Sequence, residues 1–121
     1  MSLAGECYLF EDGGGYHLHI FLTDYLGDPP QAIIVNITSW RKNSDETCII
    51  QPGEHPFIRK KSVVLYGKAS IIKESNVEYI KRQGKQQETI SNELLYRMHA
   101  GLCKSKRTSK IVKEFYQKHH T

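Results

Sequence analysis

Cysteine is scarce in this 121-residue chain, with three residues at positions 7, 48 and 103. An odd number at wide spacing fits neither a disulfide framework nor a zinc knuckle. A reducing, cytoplasmic setting is the simplest expectation. Long apolar runs are lacking as well. No stretch approaches the roughly 20 apolar residues that a membrane-spanning helix needs, so no membrane association is expected. No basic segment followed by an apolar one opens the chain, and no secretion signal is expected. Internal repeats and low-complexity tracts are also missing.

Hydrophobic residues make up 39% of the chain, which suits one globular domain with a modest core. Charge is spread unevenly around a net of +4. Residues 1–60 hold four Lys/Arg against eight Asp/Glu, a net of −4, and residues 61–121 hold thirteen against five, a net of +8. A basic second half suits an anionic partner, with nucleic acid the commonest, and equally suits a solvated helical surface.

The first 72 residues read as strands and turns. "ECYLF" is a short strand that ends at "EDGGG", where glycines permit a tight turn. "GYHLHIFLTD" follows as a strand, then the proline loop "YLGDPP", then "QAIIVNITSW", rich in β-branched residues. "CIIQ" reads as a short strand, and "SVVLYGKASII" as one interrupted near Gly67. Such a series suggests a small antiparallel barrel or a strongly bent sheet.

The remainder reads as helical. Ser75 and Glu78 have capping-box spacing, which predicts a short helix over 76–83. "RQGKQQET" reads as linker. Ser91 is placed to cap a second helix with Leu94, Leu95, Met98 and Leu102 along one stripe. A third helix is expected over 108–118, with Ile111, Val112, Phe115 and Tyr116 on one face. The fold class is therefore mainly β with C-terminal helices (α+β), divided into residues 1–74 and a helical extension over 75–121 packed on the same domain.

Two histidines interrupt the second strand. Alternation puts Leu18, Ile20 and Leu22 on one face and His17, His19 and Phe21 on the other. Asn36 and Thr38 alternate likewise in the next strand. If the strands are neighbours, the four polar side chains share a face able to bind phosphate and move a proton near neutral pH. A polar sheet surface and a metal site completed by His55 or Cys48 are the competing readings. In "DETCIIQPGEHPFIRKKS", Phe57 beside Arg59, Lys60 and Lys61 suits a single-strand contact in which the ring stacks and the cations hold phosphates. A structural turn anchored by Phe57 and Ile58 is the alternative.

The order of "GECYLF", "HLHIFLT", "IIVNITS", "HPFI" and "SVVLYGKASII" over residues 5–72 resembles the PemK/MazF-like toxin family, SH3-like barrels of bacterial toxin–antitoxin systems. The resemblance implies a metal-independent endoribonuclease acting on single-stranded RNA, without a cofactor. It also implies an acidic antitoxin partner and a homodimer. Thr38 matches the family's active-site threonine. The family's arginine falls on His17 and its following proline on Leu18, so the chain departs there. On this reading His17 and His19 transfer protons, Thr38 and Ser39 hold the phosphate, and Asn36, His55, Phe57, Arg59 and Lys60 contact RNA. The alternative is a non-catalytic SH3-like module that binds nucleic acid or protein.

Overall fold

The computed structural model describes residues 3–119. In chain order the elements are β1 (Cys7–Glu11), β2 (Tyr16–Phe21), β3 (Gln31–Ser39), β4 (Ile49–Ile50), β5 (Ser62–Val64), β6 (Ser70–Lys73), α1 (Glu74–Gln83), β7 (Lys85–Gln87), α2 (Asn92–Lys104) and α3 (Lys110–His119). The strands form one antiparallel sheet in the order β4-β5-β3-β2-β1-β7, with β6 also paired to β3. The class is α+β. The sheet stays open, with β4 and β7 at its edges, so the closed barrel expected from the strand spacing is not formed by these pairings.

Alternation in β2 and β3 divides the core in two. Leu18, Ile20, Leu22, Ile33, Val35 and Ile37 lie in one apolar cluster, which Leu94, Met98 and Leu102 of α2 and Val112 of α3 cover. Tyr8, Phe21, Ala32 and Ile34 face the other way, against Val77 and Ile80 of α1. The segment after residue 74 is thus divided between both faces of the sheet. Beyond Phe10, whose ring meets Tyr79 edge-on, the α1 side of the sheet turns polar at His17, His19, Asn36 and Thr38.

Local signals held unevenly. Ser91 Oγ accepts a hydrogen bond from Leu94 N, capping α2 as its position predicts. Helix α1 begins two residues before the predicted start, at Glu74, and its N-cap Lys73 makes no side-chain capping bond, so the Ser75–Glu78 box does not set its start. Ile111 is 71% exposed and leaves the buried face of α3 to Val112, Phe115 and Tyr116. The expected linker contains β7, whose "KQQ" pairs with β1 through the backbone, so its polar side chains concealed it. The break near Gly67 is a 3-10 turn over Tyr66–Lys68, and β5 and β6 on either side of it both pair with β3.

Candidate functional site

The three-glycine turn places the first functional group. Gly13 and Gly15 adopt φ of 92° and 106°, conformations that favour glycine. Glu11 and Asp12 carboxylates accept the freed amides of the turn, Gly13 N at 2.6 Å and Gly14 N at 3.0 Å. Asp12 is thereby turned back over β2. Its Oδ2 lies 3.0 Å from His17 Nδ1, 3.4 Å from His19 Nε2 and 3.4 Å from Asn36 Nδ2.

Strand register brings the rest together. His19 pairs with Asn36 and Leu18 with Ile37. Alternation from these pairs puts His17 on the face of His19 and Thr38 on the face of Asn36, one residue beyond the last β2–β3 pair. His19 is buried, with its ring edge-on to Phe10. Its Nε2 is close to Asp12 but too poorly aligned to hydrogen-bond. His17 is only half-buried.

The electrostatics separate the two imidazoles. Burial favours neutral Asp12, but the Gly14 amide, the His17 hydrogen bond and the charges of His17 and His19 outweigh it and hold the carboxyl below its ordinary value. Burial likewise pushes His19 down, and the attraction of Asp12 does not restore it, so His19 is neutral at pH 7. An ionised Asp12 accepts from Nδ1–H of His17. That tautomer leaves the lone pair on Nε2, the arrangement of an oriented general base.

Ser39 and the loop residues lie elsewhere. A groove of about 290 Å³ runs at the Tyr16 end of β2 and the Ser39 end of β3, beneath the 57–60 segment. Leu18, Ile37 and Ile58 reach it from the α2-covered core, and Ser39, Phe57, Arg59 and Lys60 line it. His17 and Thr38 also contribute to its lining, although alternation sets them on the opposite sheet face from Leu18 and Ile37. Alternation therefore divides the predicted residues into two groups that meet at this groove, at the ends of β2 and β3. Asn36, His17, His19 and Thr38 stand on one side, and Ser39, Phe57, Arg59 and Lys60 on the other.

His55 belongs to neither group. It is buried, its Nδ1 accepts from Phe57 N at 3.0 Å, and its Nε2 donates to Glu88 O. Both nitrogens are committed to holding the loop, which overrides the expected nucleic-acid contact. Arg97 secures the same loop from α2, pairing with Glu54 and donating to Ile49 O at 2.8 Å. Cys48 is buried in the α2-side core. Neither His55 nor Cys48 can therefore complete a metal site with the histidine pair. Among the described residues no three His, Cys, Asp or Glu side chains are arranged to hold a metal ion.

Sequence reasoning missed Asp12. Its signal was the hairpin, since a turn of three glycines between paired strands leaves Asp12 close to His17. A second cavity of about 720 Å³ lies between the Thr23–Leu26 segment, α2 and α3. It is larger but holds none of the predicted site residues. His99 at its wall is tied to Leu22 O and to the Tyr116 hydroxyl.

Comparison with protein-family models, with curated proteins and with solved structures finds no match. Among the described residues no helix is long and apolar enough to cross a membrane.

Proposed function

We propose that this protein is a metal-independent endoribonuclease acting on single-stranded RNA, a relative of the PemK/MazF-like toxins that it resembles in sequence order. The observation that carries the reading is the Asp12–His17 pair on the sheet face to which alternation also assigns Thr38. His17 Nε2 takes the proton of a ribose 2′-hydroxyl as that oxygen bonds to the adjacent phosphorus. The phosphorus–O5′ bond breaks, and the imidazolium returns the proton to the departing 5′-oxygen, leaving a 2′,3′-cyclic phosphate. The Thr38 hydroxyl donates to a phosphate oxygen. Asp12 orients the imidazole through its contact with Nδ1. His19 acts from beneath, as a neutral buried neighbour of Asp12, and not as a direct proton carrier.

An SH3-like kinship, a homodimer, an acidic protein partner and a cytoplasmic setting belong to the same proposal. The bent β5–β6 run, both parts of which pair with β3, supports the kinship. One observation favours the non-catalytic reading. Phe57, Arg59 and Lys60 line one groove together, and an aromatic with two cations is sufficient to hold a strand.

The test is incubation of mixed single-stranded RNA with the protein in EDTA, wild type beside His17→Ala. Cleavage is expected for wild type and loss of about 10²-fold or more for the variant. Substrates with 2′-deoxyribose at the cut site should resist. Equal cleavage by both proteins, or cutting of the deoxy substrate, overturns the mechanism. RNA binding without cleavage by wild type establishes the binding module.

A further inference from the structure

Trp40 is the chain's one tryptophan, and it stands two residues beyond Thr38. Its amide donates to Lys61 O at 2.8 Å, which carries the β3–β5 ladder one step past Ser39. Trp40 therefore keeps the parity of Asn36 and Thr38 and projects on the same side as His17. Two residues of extended chain separate it from Thr38 by about 7 Å, within reach of a base on a neighbouring nucleotide.

The indole is fixed and yet available. Its Nε1–H donates to Glu46 Oε2 at 2.6 Å, and the Lys61 ammonium sits 4.5 Å from the ring centroid. The side chain still exposes 40% of its surface. A ring immobilised at its polar edge loses little entropy when a base stacks on it. The surrounding charge fits the same ligand. Arg41, Lys42 and Lys61 are all exposed, on two segments joined at the Trp40–Lys61 hydrogen bond. These cations flank the indole, although the first sixty residues carry a net negative charge.

We infer that Trp40 and Lys61 form a base-stacking subsite for single-stranded RNA, holding a nucleotide next to the phosphate at Thr38. The indole stacks the base, and Lys61 with its neighbouring cations holds the phosphates on either side. This rests on the proposed RNA reading and adds the place where a flanking base is held.

The test uses short oligonucleotides with 2′-O-methyl riboses, which cannot be cleaved by 2′-hydroxyl attack. Binding is followed by anisotropy of a labelled strand and, separately, by the fluorescence of Trp40, a single-site reporter. Quenching is expected on binding for both wild type and His17→Ala. Trp40→Ala should weaken binding about tenfold, while Trp40→Phe retains most of it. Lys61→Ala, which leaves the ring in place, should weaken binding and keep the quench. Strand binding without quenching, or with equal affinity for Trp40→Ala of native melting temperature, overturns the subsite whether or not RNA is cut. Binding with quenching but no cleavage by wild type overturns the nuclease reading and leaves the subsite standing. Absence of strand binding overturns both.

Discussion

His17 Nδ1 lies 3.0 Å from Asp12 Oδ2, although the two residues sit on different sides of a three-glycine turn. This contact selects the ring tautomer and so decides whether Nε2 can accept a proton. Replacing Asp12 by Asn keeps the shape but places an amide N–H or a neutral oxygen against the ring. RNA cleavage by Asp12→Asn is expected to fall by about 10²-fold or more. The affinity for an uncleavable strand should change little. Parallel loss of binding and cleavage would show that Asp12 supports the fold of the site and not the proton transfer.

His19 predicts a pH dependence of stability. Its folded pKa is lowered, mainly by burial, so the unfolded chain binds the proton more readily. The stability it contributes is complete above the unfolded value near 6.5. It declines as pH falls from there toward the folded value. Thermal melting of wild type should drop between pH 7 and pH 5 more steeply than that of His19→Phe. Equal slopes would remove the buried neutral imidazole from the explanation.

Arg59 predicts a salt effect. If it contacts one phosphate of a bound single strand, Arg59→Ala lowers affinity and flattens the plot of log affinity against log salt by about 0.7. Titrations with one oligonucleotide at several salt concentrations measure this. An unchanged slope would place Arg59 outside the path of the strand.

His55 predicts an indirect effect. Its two hydrogen bonds tie Phe57 N to Glu88 O across the loop. His55→Ala should cost about 1–3 kcal/mol of stability, the range for lost buried hydrogen bonds, as read by urea unfolding. It should also weaken strand binding, since Phe57 is no longer held. Normal stability with weakened binding would instead make His55 a direct contact.

Gly101 predicts a packing effect far from the site. A Cβ there would run into the Tyr66 hydroxyl, which donates to Met98 O at 2.8 Å in the buried α2 contact. Gly101→Ala gains helix propensity but should still destabilise the fold by about 2–4 kcal/mol, from overpacking and a displaced hydrogen bond. A neutral or stabilising result would mean that α2 packs against Tyr66 less closely than described.

Much of the architecture follows from short-range rules that the residues obey wherever the chain goes. Backbone pleating makes side chains alternate, so Leu18, Ile20 and Leu22 had to part from His17 and His19, and Val35 from Asn36. A serine before an apolar stripe caps a helix through its own hydroxyl, as Ser91 does. Those features were legible because their causes lie within a few residues. Tertiary structure alone decided that Asp12 lies on His17, that β7 completes the edge beside β1, and that His55 is occupied by Glu88 O, 33 residues away. It also decided that Phe57, Arg59 and Lys60 meet Ser39 in one groove at the ends of β2 and β3. Each of these depends on which distant backbone segment supplies a partner, and that choice is made by burial and hydrogen-bond completion over the whole sheet.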